Sequence, residues 1–219
     1  MSDMKQKSAE TFELLLERYP VLVSSKDDIL SAFDALKKAY AGGKKLMVCG
    51  NGGSCADSEH ITGELMKGFK LKRTPSGEMR EKLIKSCPEH GEYFAEKLQG
   101  ALRTIALTSS SVMYSAFCND VDPDLAFAQQ LYGYAESGDV LIGISTSGSA
   151  DNVNLALELA GALGVTRIGL TKRNALEAMK KHCDIIIAVD ADETYSVQEL
   201  HLPIYHCLCA MLEEEFFGG

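Results

Sequence analysis

Five short runs of consecutive apolar residues punctuate the chain: LMVC at 46–49, TIALT at 104–108, VLIGI at 140–144, IGLT at 168–171 and DIIIAV at 184–189. None alternates apolar with polar. A strand with one wet face must alternate, so continuous runs of this length point to strands buried on both faces, as in a parallel sheet. Helix-like segments fall between them, at 54–67, 124–136 and 151–163. In the last, Val153, Leu155, Ala156, Leu159, Ala160 and Leu163 recur near helical spacing, Asp151 stands where an N-cap would, and Gly164 follows where the helix should stop. Strand and helix in alternation predict right-handed crossovers and an α/β fold, a three-layer doubly wound sandwich around a five-stranded parallel sheet.

The flanks fit a single domain over 1–219. Residues 1–42 form an N-terminal helical segment, with patterns at 6–18 and 26–40 broken at Tyr19-Pro20. Residues 196–216 read as one long helix, apolar enough to be buried in the domain or shared with another subunit, with a kink expected at Pro203. Residues 67–102 show no strand pattern and read as a partly helical insertion between the first two strands.

A formal charge of −9 argues against general nucleic-acid binding, which needs a basic footprint, but leaves room for a local phosphate pocket. No stretch approaches eighteen apolar residues, so no membrane span is expected, and the N-terminus lacks the pattern of a signal peptide. A cytoplasmic protein is the expectation. The seven cysteines, at 49, 55, 87, 118, 183, 207 and 209, are odd in number and unpaired in spacing, which suits reduced thiols. Cys87 and His90 have no second ligand pair nearby and read as a chance juxtaposition in a loop.

Two of the expected strand ends are rich in glycine and hydroxyl groups: Asn51-Gly52-Gly53-Ser54 and Ser145-Thr146-Ser147-Gly148-Ser149. Small residues let backbone N–H groups approach an anion, and the helix that follows adds the positive end of its dipole. Neither loop is a Walker motif or GxGxxG, so a monophosphate fits better than a nucleotide. A tight turn that merely needs glycine is the plainer reading of either loop alone; two such loops on one sheet weaken it. On the helix leaving the first loop, His60 and Glu64 are four apart and share a face, a spacing that by itself reads first as a surface pair. A second acid–base group, Gln198, Glu199, His201 and His206, lies near the C-terminus. Gln198 and His206 are eight apart, about two turns, and both can face one pocket. His201 reads as a packing or surface residue.

The order NGGS, HxxxE, GDVLIGISTSG and ET…QE…H resembles the sugar-isomerase (SIS) domain, and more narrowly the bacterial phosphoheptose isomerases, over nearly the whole chain apart from 67–102. Those enzymes interconvert sedoheptulose 7-phosphate and glycero-manno-heptose 7-phosphate. The resemblance implies substrate contacts from Asn51, Gly52, Gly53, Ser54, Asn119, Asp120 and Gln198, and a phosphate held by Ser145, Thr146 and Ser147. It implies zinc as cofactor on His60, Glu64, Gln198 and His206, with Glu64 and His206 as the acid–base pair. It further implies a homotetramer with sites at subunit interfaces, and a product bound for lipopolysaccharide or a surface glycan. Where the family often has another serine, this chain has Ala150, so Ser149 is the expected substitute and Asn152 the weaker one. The insertion leaves an isomerase of another sugar phosphate open. The alternative of a different class is a non-catalytic SIS protein that senses sugar phosphates or associates with the replication initiator.

The residue types suit aldose–ketose chemistry. A carboxylate such as Glu64 can take the proton from the carbon beside the carbonyl where burial raises its pKa. A histidine such as His206 can shuttle a proton between oxygens. The enediolate needs a metal or donor beside its oxygen. A zinc-bound Glu64 would be a weaker base, so ligand and base would be alternating roles.

Overall fold

The computed structural model describes residues 4–219. In chain order the helices are α1 (Gln6–Arg18), α2 (Lys26–Ala41), α3 (Gly53–Met66), α4 (Gly77–Ser86), α5 (Gly91–Lys97), α6 (Ser111–Asp120), α7 (Ala126–Tyr134), α8 (Asp151–Ala162), α9 (Leu176–Lys180) and α10 (Thr194–Phe217). The strands are β1 (Leu46–Gly50), β2 (Thr104–Ala106), β3 (Val140–Ile144), β4 (Thr166–Lys172) and β5 (Ile185–Val189). They form one parallel sheet in the order β2-β1-β3-β4-β5.

The continuous apolar runs are explained by two cores. Leu46 and Val48 of β1, with Ile142, Ile144 and Leu170, pack against α1, α2, α3 and α10. Met47, Cys49 and Leu141 point the other way, onto Phe127 and Leu131 of α7 and Val153, Ala156, Leu157 and Ala160 of α8. Every residue of β1 and β3 is buried, so no position is free to be polar. At the edge, β2 is shorter than the expected run, although Leu107 N–H still donates to Val48 O at 2.9 Å.

Some boundaries differ from the sequence reading. Asp151 is the first residue of α8, and the N-cap position falls to Ala150, which makes no side-chain cap. Asp151 therefore acts on the helix dipole rather than as the cap. The stop at Gly164 holds: it takes a left-handed φ of 71°. α10 runs unbroken through Pro203, and its apolar face is buried within the chain against α1 and α3. α6 was not anticipated. None of its residues is buried, so it carries no apolar stripe to read.

The insertion contains no strand, as expected, but its two parts differ. Residues 69–73 are clamped to α10: Phe69, Lys70 and Leu71 N–H groups and the Arg73 guanidinium all donate to Glu213, at 2.7–3.0 Å. The Arg73 and Glu213 side chains are 0% and 1% exposed. Burial pushes Glu213 up, yet these donors outweigh it and hold the carboxyl below its usual range. Beyond them, α4 buries nothing.

Candidate active site

In the order β2-β1-β3, the chain leaves the sheet in opposite directions from β1 and β3, and the crevice at such a reversal is where open α/β sheets bind ligands. Gly50 pairs with Ile144, so the Asn51–Ser54 and Ser145–Ser149 loops emerge side by side. Their tie is reciprocal: Asn51 Nδ2 donates to Asn152 Oδ1 at 2.8 Å, and Asn152 Nδ2 donates to Asn51 Oδ1 at 3.0 Å. The Asn152 side chain thus ties the two loops together. Ser149 Oγ lies 3.0 Å from Ser147 Oγ. Ser145 is buried, whereas Ser147 and Ser149 are exposed at the mouth.

The two glycines of the first loop are needed for different reasons. Gly52 has φ +57°, which side chains rarely adopt. At Gly53 a Cβ would lie 2.9 Å from Gln198 Cδ, so a side chain there would push the Gln198 amide from its place. The Gln198 amide from α10 therefore rests on the first turn of α3. Ser54 is buried, its carbonyl accepting from the Ser58 hydroxyl.

Further along the same helix, an acid–base corner forms. His60 Nε2 is 3.2 Å from Glu64 Oε1 and 3.4 Å from His206 Nε2. Glu64 Oε2 faces Lys67 Nζ at 3.5 Å, and Phe69 lies against the His206 ring, with centroids 5.6 Å apart. The Glu64 and Leu65 carbonyls at the end of α3 accept from Arg73. Burial and the neighbouring His60 lower the His206 pKa, against the opposing pull of Glu64. A neutral imidazole at this point can accept a proton.

The structure therefore brings His60, Glu64 and His206 together. Gln198 stands over Gly53 and makes no hydrogen bond to any of the three among the described residues. Asn119 and Asp120 lie exposed at the end of α6, with Asn119 Nδ2 donating to Asp120 Oδ1 and, among the described residues, no bond to either loop. His201 is wholly buried and packs, as expected, with Nε2 3.4 Å from Thr171 O. Two members of the corner were not singled out from the sequence. Tyr205 Oη is 3.0 Å from His60 Nδ1 and donates to Asp57 Oδ1 at 3.1 Å. A tyrosine in an apolar helix reads as core, and Tyr205 is 2% exposed. Only its hydroxyl betrays the second role.

Among the described residues, no group of three or more His, Cys, Asp or Glu side chains stands as a ready metal site. The donors nonetheless suit zinc in kind and in pairs. Nitrogen and oxygen ligands about 2.0–2.1 Å from a tetrahedral zinc lie about 3.3 Å from each other, and His60 has Glu64 and His206 at 3.2 and 3.4 Å.

Comparison with known proteins identifies the family. SIS domain profiles match residues 101–211 and 13–98. The phosphoheptose isomerase of Akkermansia muciniphila is 34% identical over 205 residues, covering 94% of each chain. The phosphoheptose isomerase structure from Francisella tularensis superposes with a TM-score of 0.74 at 26% identity, covering 95% of this chain and 97% of that one. The one from Neisseria gonorrhoeae gives 0.69 at 26% identity, covering 94% of each. The chain belongs to the phosphoheptose isomerase family of SIS-domain proteins.

Proposed function

We propose that the chain is an aldose–ketose isomerase that converts sedoheptulose 7-phosphate to D-glycero-D-manno-heptose 7-phosphate through an enediolate. The observation that carries this reading is one of adjacency. The helix that opens from the Gly52-Gly53 loop bears His60 and Glu64 against His206, and the same loop is tied through Asn51 to the Ser145–Ser149 loop. A protein that only bound phosphosugars would need the loops but not the corner.

The phosphate is held at Ser145–Ser149, by hydroxyls and by the N-terminal end of α8. Glu64, largely shielded from water, removes the proton beside the carbonyl and returns it to the neighbouring carbon. His206, kept neutral by burial and by His60, moves the proton between the two oxygens. His60, Glu64 and His206 are the residues that would hold zinc, with Gln198 as the fourth donor. When bound, zinc would supply charge to steady the developing enediolate.

An exposed apolar face beside the site supports a homotetramer with its sites at subunit interfaces. Leu14 and Leu202 are 50% and 40% exposed, and they flank a groove of about 290 Å³ with His206 on its wall. Among the described residues, no helix is long and apolar enough to cross a membrane. We place the enzyme in the cytoplasm, supplying heptose for lipopolysaccharide or a surface glycan.

The test is NMR-monitored conversion of sedoheptulose 7-phosphate by chelated protein, before and after zinc is restored. Conversion that returns with zinc supports both reaction and metal. Conversion that survives chelation sinks the metal but keeps the reaction. No conversion by folded, zinc-loaded protein sinks the substrate assignment.

A further inference from the structure

The hydrogen-bond chain behind His60 has a direction. A tyrosine hydroxyl has one proton to donate, and Tyr205 places it on Asp57 Oδ1 at 3.1 Å, an oxygen of a carboxylate that can only accept. Tyr205 Oη also lies 3.0 Å from His60 Nδ1. With its own proton committed, the hydroxyl oxygen can only accept there, so the proton in that bond belongs to His60. In the neutral ring His60 then carries N–H at Nδ1 and a bare lone pair at Nε2. That lone pair faces Glu64 Oε1 at 3.2 Å and His206 Nε2 at 3.4 Å.

We propose that Asp57 and Tyr205 are positioning residues, which lock His60 in the Nδ1–H tautomer and aim its Nε2 lone pair into the acid–base corner. The packing enforces the same aim. The His60 ring sits edge-on to Tyr205, with centroids 5.5 Å apart, and edge-on to His206 at 4.9 Å. Asp57 lies three residues before His60 on α3, and Tyr205 is the neighbour of His206 on α10. The pair therefore spans the two helices that build the corner and sets their relative rotation at that level. Asp57 Oδ2 is buried without a partner among the described residues. This carboxylate thus directs one hydrogen bond, the one that orients Tyr205. An accepting Nε2 is what a bound cation or an incoming proton requires. The opposite tautomer would present N–H to Glu64 and close the corner upon itself.

This inference rests on the corner being the catalytic one, but its test does not depend on turnover. The 15N spectrum of histidine-labelled, chelated protein, taken by magic-angle spinning, separates protonated from bare ring nitrogens. The His60 signals are identified by their loss in His60→Gln. We expect Nδ1 protonated and Nε2 bare in the unaltered protein, and mixed tautomers in Tyr205→Phe. We also expect Tyr205→Phe to lower kcat about tenfold with KM nearly unchanged. A protonated Nε2 in the unaltered protein overturns the proposal without any variant, and so does a His60 spectrum unchanged in Tyr205→Phe. A chain that shows the expected tautomer yet isomerises no sugar phosphate would instead overturn the functional reading.

Discussion

The phosphate end and the acid–base corner are built on opposite principles. At Ser145–Ser149 the residues are small, the hydroxyls of Ser147 and Ser149 lean on each other, and the loop is shaped by its backbone. At the corner, Asp57, Tyr205, His60, Glu64 and His206 interlock through large side chains, supported from below by Arg73. A site made by backbone spreads its binding over many small contributions. A site made by side chains concentrates its chemistry in a few atoms. Single substitutions should therefore be mild at the first and severe at the second.

The sharpest break comes at Glu64. Glu64→Gln should lower turnover by roughly 10²–10⁴-fold while leaving phosphosugar affinity near its original value, measured by coupled kinetics and calorimetry. Equal losses in both would erase the distinction between the two ends. Arg73→Met should destabilise the fold by about 3–5 kcal/mol in urea unfolding, because it strands Glu213 as a buried, unpaired charge. A loss below about 1 kcal/mol would mean that the backbone donors alone satisfy Glu213.

The next effect lies on α10 but belongs to neither end. His201 is buried and its pKa is pulled down from 6.5 to about 4, chiefly by burial, against a weak opposing bond to Thr171. The unfolded chain binds this proton below about pH 6.5 and the folded one only below about pH 4. Stability is therefore fully present above pH 6.5 and should fall toward pH 4, by about 3 kcal/mol. His201→Leu should flatten that slope in denaturant titrations run across the same range. The mildest change is Ser147→Ala. Removing one hydroxyl from a charged phosphate should raise KM roughly tenfold to a hundredfold with kcat retained. A fall in kcat instead would mean that the loop takes part in the chemistry.

The strands were legible because burial on both faces leaves uninterrupted apolar runs, and the two loops because glycine and serine cluster at their ends. Helical spacing put His60 and Glu64 on one face, and the family resemblance gave that face its role. Three features were not. α6 buries none of its residues, so nothing in its sequence repeats. The link from Asp57 to Tyr205 joins residues 148 positions apart through a single hydroxyl. The resting place of Gln198 on Gly53 is a close approach between two helices, which the spacing within either one does not record. The Asn119-Asp120 pair was legible only through the motif it shares with the family, and its two side chains bond to each other at the end of α6.

The clamp at Arg73 also sets what the rest of the insertion is free to become. Gly100 N–H donates to Arg73 O at 2.7 Å, and Leu102 N–H donates to Leu65 O at 2.9 Å. The outgoing and returning chains are thus stitched together before α4 begins. Gln99 Oε1 adds to that seam by accepting from Gly68 N–H, and Thr74 to Leu98 loops out of it like a pennant on a closed ring. Changes in its length or sequence reach Glu64 through that seam. It is a natural port in this molecule for grafting a tag or a second domain.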